Sequence, residues 1–279
     1  MKLSLWETVL SEIIVGDAFG VDRMDYLLRD SLHAGVVYGH FDHYRILDSI
    51  RLLPSPPTEA GQNINQLPPT LGITEGGLHS ADAMLLARYF MFSQLYFHPI
   101  RRIYDIHLKD FLLDWQGQFP TEVDKLLAFT DNEVVAAMYR AAMNAGEKGH
   151  DSAKRLINHT HFKVVYRRRK KDVDINPEAA RLIFESAAAK FGNEKLRYDK
   201  PRKAMALSGD FPVLTNTQEV VSSSLMSEAL PQVPPIIAEF VYADRDIAED
   251  VAHWIDSNTA SIIGNKLQDE DEESKEGAK

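Results

Sequence analysis

The sequence predicts a mainly α-helical protein with a smaller α+β lobe toward its C terminus. Apolar residues recur at spacings of three and four through most of the first 145 residues, which is the period of an amphipathic helix. Strand-like runs of β-branched and aromatic residues begin only later, first at 162–166 with FKVVY. We therefore expect a helical region over 1–145, an α+β lobe over 146–264 and an acidic, disordered tail over 265–279.

The helical region divides into seven predicted helices, separated by residues that break helical geometry. Gly16 and Gly20 separate the first two helices, and three closely spaced prolines end the third. The residue before Pro99 avoids helical geometry, so a long apolar helix should end near His98 and a new one should start beyond it. Residues 58–76 are rich in proline and glycine and predict a loop with room for a short hairpin. The predicted helices span 3–16, 22–33, 42–50, 77–97, 100–115, 121–127 and 132–145.

The C-terminal portion mixes helices with short strands. After the strand at 162–166, Pro177 suits a first helical position and opens an alanine-rich helix that ends near residue 191. Residues 195–223 read as short strands and loops. The remaining predicted elements are a helical turn at 225–230, an apolar stretch at 233–241 and an amphipathic helix at 246–263.

The composition is that of an ordinary globular protein, with 44% hydrophobic and 26% charged residues. No apolar run reaches the roughly 18 residues of a membrane span, and an acidic residue at position 7 comes too early for a secretory signal, so we expect a cytoplasmic protein. The net charge of −10 gives no strong signal for nucleic-acid binding. The lack of cysteine excludes disulfides, thiolate metal sites and cysteine nucleophiles.

One basic run interrupts this acidic chain at 167–171, which reads RRRKK. A run of this kind is typical of a solvated strand end or loop. It would also suit contact with a phosphate or another polyanion. Neighbouring residues do not distinguish the two interpretations.

The segment with the most chemically active side chains is 20–33, GVDRMDYLLRDSLH. Its acids, arginines, tyrosine and histidine are costly on a buried helix unless they are paired or bound to a ligand. Four of them fall at steps of four, four and three and therefore share one helical face: Asp22, Tyr26, Asp30 and His33. This face is either a polar seam between helices or one wall of an active site.

The same segment resembles a known family. GVDRMDYLLRDSLHAGVVYG is similar to the DADRMDYLLRDS-type segment of HD-domain deoxynucleoside triphosphate (dNTP) triphosphohydrolases. These include the bacterial dGTPase-like enzymes and the mammalian SAM-and-HD-domain protein, and the YFHP motif here resembles that of a bacterial subgroup. The likeness extends over roughly residues 10–170. Similar motifs follow in the family's order: FDHYRIL at 41–47, ARYFMFSQLYFHPIRR at 87–102 and FKVVY at 162–166.

The resemblance implies the C-terminal part of an HD-domain helical bundle, followed by the smaller α+β lobe. It also implies a catalytic divalent metal (Mg, Mn, Fe or Zn), held by a histidine, a His-Asp pair and a later aspartate, which Asp22 matches. Residues 1–21 contain no histidine, and the His150-Asp151 dipeptide lies on the wrong side of Asp22. One aspartate cannot hold such a cation tightly. We therefore expect metal binding only with histidines from another chain.

The other positions that the resemblance assigns concern the nucleotide. Arg23 occupies the position of a basic phosphate contact, and Tyr26 and Asp30 match residues that line the sugar and phosphate site. His33 lies on the same helical face, and Tyr104 matches an aromatic residue near the deoxyribose. Three further residues lie near the position where relatives bind a regulatory nucleotide: Asp42, Arg45 and Arg88.

The sequence is compatible with two functions. The first is a subunit or partial chain of a dNTP triphosphohydrolase, whose missing histidines come from a second polypeptide with the H…HD motif. The second is a non-catalytic nucleotide-binding, regulatory or structural subunit of an HD-family complex. Residues 84–97 are apolar almost all round, which predicts that another chain or a second copy covers this helix.

The remaining histidines suit structural roles better than metal binding. His40 and His43 lie in a turn, and two histidines on a loop make a poor preformed metal site. His98 before a proline is typical of a helix cap or a buried hydrogen-bonding residue. His159 and His161 alternate as on a strand and share one face.

Overall fold

The computed structural model describes residues 3–55, 69–201 and 210–276. The chain forms two compact units: a first unit of Met1–Tyr96 and Lys203–Ile237, and a second unit of Phe97–Arg202 and Ala238–Lys279. The fold is mainly α with small sheets, as predicted. The division differs from the boundary expected near residue 145. The break lies next to Pro99, and the chain later returns to the first unit to complete its sheet.

Twelve helices and seven strands occur in the described residues. The helices are α1 (Leu5–Val15), α2 (Val21–Ala34), α3 (His43–Ser49), α4 (Leu78–Met91), α5 (Pro99–Trp115), α6 (Val123–Leu127), α7 (Asp131–Met143), α8 (His150–Ile157), α9 (Lys170–Val173), α10 (Ala179–Phe191), α11 (Ser223–Met226) and α12 (Ala248–Glu276). The strands are β1 (Ile50–Pro54), β2 (Pro69–Thr74), β3 (Lys163–Arg167), β4 (Leu196–Asp199), β5 (Pro212–Leu214), β6 (Val220–Ser222) and β7 (Phe240–Ala243).

The sheet of the first unit has the order β1-β2-β5-β6. The β1 and β2 strands are antiparallel, with Ile50 opposite Ile73, so the hairpin begins before the 58–76 segment in which we expected one, and most of its connection (56–68) lies outside the described residues. The β5 strand lies parallel to β2, with Val213 opposite Ile73. This long-range pairing brings the 210–222 segment back to the first unit. The strand β1 begins at the last residue of the predicted third helix and was not itself predicted, because it depends on pairing with β2 farther along the chain.

Helix α4 lies in the core of the first unit. Ala81, Met84, Leu85 and Met91 are buried along it, in a cluster with residues of the same unit. Their burial therefore needs no second chain, in contrast to the expectation from the apolar sequence. The helix does not continue to residue 97 in regular form, because a π-helical turn over Phe92–Tyr96 follows Met91. A π turn inserts an extra residue, rotates the side chains that follow and is frequent at functional sites.

The second unit contains a three-stranded antiparallel sheet of order β3-β7-β4. Helices α10 and α12 contribute Ile183 and Ile255 to the core that also contains Val241 of the central strand. Helix α5 begins at Pro99, and the His98 Nδ1 accepts a hydrogen bond from the Ile100 amide at 3.3 Å, which confirms the predicted cap. His150 opens α8, where its ring nitrogen Nδ1 lies 2.7 Å from the Ala141 carbonyl oxygen.

The last helix differs from the prediction at its C-terminal end. We expected a helix over 246–263 and disorder beyond it, whereas α12 begins at Ala248 and continues to Glu276. Glutamate, lysine and glutamine are good helix formers, and no glycine or proline interrupts the chain between 265 and 276. Residues 277–279 lie outside the described residues. None of the helices in the described ranges combines the length and apolar character of a membrane span.

Candidate functional site

Helix α2 supports most of the predicted site residues. Gly20 occupies its N-cap, and Gly35 ends it in the left-handed region with φ 68°, which a residue with a side chain rarely adopts. Met24 and Leu27 are buried in the core of the first unit. Asp22 lies in the first turn, where the helix dipole favours a negative charge. The buried apolar stripe therefore leaves the polar side chains of the helix on its other faces.

The middle of the predicted polar face is held in place by the π turn. The Tyr96 hydroxyl donates a hydrogen bond of 2.7 Å to Oδ2 of Asp30. Tyr26 packs edge to face against Tyr96 with 6.1 Å between ring centroids, and Phe92 packs against Tyr96 at 4.9 Å. Tyr96 was not among the predicted site residues. The YFHP motif that contains it could have indicated that it belongs to the site.

The two ends of the same face lie in more open surroundings. Asp22 is exposed at the start of α2. His33 is exposed near the end of the helix, where its Nδ1 lies 2.7 Å from the Arg29 carbonyl oxygen of its own helix. The structure therefore links Tyr26 and Asp30 through Tyr96 and gives His33 a local contact within α2.

Two arginines from different helices reach the same turn between α1 and α2. Arg23 donates from Nη1 to the Gly16 carbonyl oxygen at 3.0 Å and from Nη2 to Oδ1 of Asp17 at 3.3 Å. Arg88 on α4 donates from Nη1 to the Asp17 carbonyl oxygen at 3.4 Å. Burial lowers the pKa of Arg88, and the positive charge of Arg23 lowers it further, whereas Tyr26 and Asp17 act in the opposite direction.

The resemblance groups Asp42 and Arg45 with Arg88. In the structure, the side chains of Asp42 and Arg45 bond to residues other than Arg88. The Asp42 side chain caps α3 by accepting a hydrogen bond of 2.9 Å from the Arg45 amide. The Arg45 guanidinium donates to the Gly76 carbonyl oxygen from Nε at 3.1 Å and from Nη2 at 2.8 Å. These contacts attach α3 to the turn before α4. A regulatory nucleotide at these positions stays a prediction.

Tyr104 lies in the second unit, on α5. Its hydroxyl lies 2.8 Å from Nδ1 of His159, and its ring packs 5.2 Å from the His161 ring. His159 has a positive φ of 54°, which is uncommon for residues other than glycine and asparagine. The side chains of this cluster therefore contact each other within the second unit.

The described residues do not fit a divalent metal by themselves. No group of three or more histidine, aspartate or glutamate side chains lies close enough in the described ranges to hold an ion. Asp22 would be a single ligand, and divalent metal sites use three or more protein ligands. A metal at Asp22 would therefore need further ligands from outside the described residues.

A cavity of about 460 Å³ lies in the first unit, where α1, the α1–α2 turn, β2 and the two residues before β5 meet. Its lining includes the carboxylates of Glu12, Asp17 and Asp210. Glu12 is already bound to the sheet, since its Oε2 accepts hydrogen bonds from the Thr70 hydroxyl at 2.6 Å and the Leu71 amide at 3.1 Å. The negative lining makes this cavity a poor site for phosphate groups.

The motif that contains Tyr96 falls within a region matched by a protein family. Residues 61–195 match the family of the HD associated region. The matched segment makes up slightly less than half of the chain. It covers α4, α5 and the π turn between them, and therefore includes Arg88, Tyr96 and Tyr104.

Two curated relatives match shorter segments of the chain. The uncharacterized protein YwfO of Bacillus subtilis is 36% identical over 99 residues, which make up 36% of this chain and 20% of the relative. The uncharacterized protein MJ1154 of Methanocaldococcus jannaschii is 42% identical over 98 residues, or 35% of this chain and 19% of the relative. The matched segments thus span about a fifth of each relative.

Two solved structures resemble the chain over most of its length. A hypothetical protein from Aquifex aeolicus is 29% identical with a TM-score of 0.73, covering 90% of this chain and 61% of that protein. A phosphohydrolase from Bacteroides thetaiotaomicron is 17% identical with a TM-score of 0.60, covering 85% of this chain and 64% of that protein. Both solved proteins are longer than the part that this chain matches, and the second likeness shows the fold alone.

Proposed function

We propose that this chain is a subunit or part of an HD-family phosphohydrolase that converts a dNTP and one water molecule into a deoxynucleoside and triphosphate. The observation that carries the proposal is the polar face of α2, where Asp30 is fixed by the Tyr96 hydroxyl at 2.7 Å and Tyr26 packs beside it. A fixed carboxylate next to an aromatic ring suits a sugar, whose hydroxyl donates to the carboxylate while its carbon face packs on the ring.

The match to the HD associated region and the likeness to a solved phosphohydrolase support this reaction class. In the proposed site, Asp22 supplies one metal ligand and Arg23 contacts a phosphate. The sugar contact that the resemblance implies for Tyr104 of the second unit stays a prediction. Histidines from a second polypeptide with the H…HD motif, or from a further part of a longer protein, supply the remaining metal ligands.

The test compares two carboxylates of the same helix in material that is purified with its natural partners. Asp22→Asn is expected to lower triphosphate release from dNTPs at least about a hundredfold, because it removes a metal ligand. Asp25→Asn is the matched control. Asp25 is exposed and pairs with Arg29 at 2.7 Å, four residues along the helix, so this variant should retain activity.

Release of triphosphate should be measured with each dNTP and with Mg, Mn, Fe and Zn in turn. Full activity of the Asp22→Asn variant, or no triphosphate release from any dNTP, would contradict the proposal. Tight dNTP binding without release would instead support a non-catalytic nucleotide-binding subunit.

A further inference from the structure

Helix α1 presents an apolar face to solvent, made up of Trp6, Leu10, Ile13 and Ile14. The first three follow each other at steps of four and three and share one side of the helix, and Ile14 lies one turn beyond Leu10. Each of the four residues is 40–62% exposed, and none belongs to the described hydrophobic cluster in the core of the first unit. Adjacent large apolar side chains exposed in this way are typical of an interaction surface.

The helix is attached to the first unit by other residues. Val9 is buried, and Glu12 accepts two hydrogen bonds from β2. A capping box between Ser4 and Glu7 closes the first turn of the helix. The position of α1 therefore does not depend on its apolar face, which stays available to a partner.

The end of α1 lies next to the metal ligand of the proposed function. A tight turn joins α1 to α2, and within it the Gly20 amide donates to the Gly16 carbonyl oxygen at 3.1 Å. Arg23 Nη1 donates to the same oxygen at 3.0 Å and ties the first turn of α2 to the end of α1. This first turn carries the exposed Asp22, whose neighbour Val21 is also exposed. A chain that covers the end of α1 is therefore close to the carboxylate that needs further metal ligands.

The surroundings of the apolar face are acidic. Residues 3–34 contain six carboxylates and two arginines, and Glu12 and Asp17 line the cavity beside α1. Two copies of such a surface would repel each other, whereas a partner with lysine or arginine around an apolar centre would be attracted. The charge therefore favours a different chain over a second copy of this one.

We propose that the apolar face of α1 docks an amphipathic helix of the second polypeptide that supplies the metal histidines. The apolar side of that helix packs on Trp6, Leu10 and Ile13, and basic side chains at its edge face the carboxylates around α1. Tryptophan at the centre of an interface often contributes much of the binding energy. The inference rests on the proposed function, because it names the surface through which the missing ligands are brought to Asp22.

The test purifies the tagged chain with its partners from its native host and identifies the associated polypeptides by mass spectrometry. One of them should carry an H…HD motif, and elemental analysis should find metal in the complex. The double variant Trp6→Gln/Ile13→Gln removes two apolar side chains, while glutamine retains a high helix propensity. It should lower both the amount of this polypeptide and the metal bound per chain at least about tenfold. The single variant Leu10→Gln should cause a smaller loss of both.

The second unit offers a matched control. Val135 and Tyr139 lie four residues apart on α7 and are 42% and 50% exposed, so Val135→Gln/Tyr139→Gln removes a similar amount of exposed apolar surface. This variant should retain both the partner and the metal. Circular dichroism and thermal unfolding of the chains expressed alone should give native helix content and melting temperatures for both double variants, because the changed side chains are exposed.

Three results would overturn the inference: native amounts of partner and metal in the α1 variants, equal losses in the α7 control, or no H…HD polypeptide in the native preparation. A native chain that sediments alone as a dimer and becomes monomeric in the α1 double variant would also overturn it, since a second copy would then occupy the face.

Failure of the proposed function gives a different result. A complex that depends on the apolar face of α1 but releases no triphosphate from any dNTP would retain the docking surface and reject the reaction. Triphosphate release that survives in the α1 double variant, with the partner still bound, would reject the docking surface alone.

Discussion

Replacing Arg102 by methionine is expected to lower the free energy of unfolding of the second unit by about 3 to 5 kcal/mol. Arg102 forms a bidentate pair with Asp199, from Nη2 to Oδ1 at 2.6 Å and from Nε to Oδ2 at 2.8 Å. The side chain of Asp199 is 7% exposed, so the variant leaves a buried carboxylate without its counter-charge. The same hydrogen bonds raise the pKa of Arg102, which keeps it charged. Denaturant unfolding followed by circular dichroism measures the change.

Arg101 provides the matched control for this pair. It lies next to Arg102 on α5, its side chain is 48% exposed, and it pairs with Asp105 at 3.3 Å. The Arg101→Met variant should change the free energy of unfolding by less than about 1 kcal/mol, since exposed ion pairs contribute little. The double variant Arg102→Met/Asp199→Leu should recover much of the loss, because it removes both buried charges. Equal effects of the two single arginine variants would contradict the prediction.

The second unit is also expected to lose about 3 kcal/mol of stability between pH 6.5 and pH 4 through His107. This histidine is 1% exposed on α5 and accepts a hydrogen bond from the Phe162 amide at Nε2. Burial lowers the pKa of His107 from 6.5 to about 4, and the positive charges of Arg155 and Arg197 act in the same direction, while Asp110 opposes them.

The sign of this pH dependence follows from proton binding. Between pH 6.5 and 4 the unfolded chain takes up a proton at His107 that the folded chain does not, so acid favours unfolding. The contribution of His107 to the free energy of unfolding is therefore fully present above pH 6.5 and is lost progressively as the pH is lowered through this window. Below about pH 4 this residue causes no further change in stability. Burial also lowers the pKa of His161, which adds to the loss in the same direction.

The His107→Gln variant isolates this contribution, because the Gln oxygen can accept the Phe162 amide but does not titrate in this range. Unfolding curves of the native chain and the variant should be compared at pH 8, 6 and 4.5. We expect the free energy of unfolding of the native chain to fall relative to that of the variant as the pH is lowered. A constant difference across the three pH values would show that His107 does not titrate as expected.

Local sequence patterns were sufficient to predict most helices and the polar face of α2. The apolar stripe of α4, the break at Pro99 and the cap at His98 follow from residues within a few positions of each other. The spacing of Asp22, Tyr26 and Asp30 fixes their common face as soon as α2 is helical. The strand β1 and the division into two units could not be predicted, because both depend on pairing between residues far apart in the chain.

The sequence by itself determined the helical class, the polar composition of α2 and the resemblance to HD-domain hydrolases. Only the tertiary structure decided which side chains meet. It placed the Tyr96 hydroxyl on Asp30, because a π turn rotates the end of α4, and it brought Arg88 beside Arg23 rather than beside Asp42 and Arg45. The physical reason is the separation along the chain between the residues that contact each other. Helical periodicity is set by neighbours three and four residues apart, whereas these contacts join residues that are more than sixty positions apart and depend on how whole helices pack.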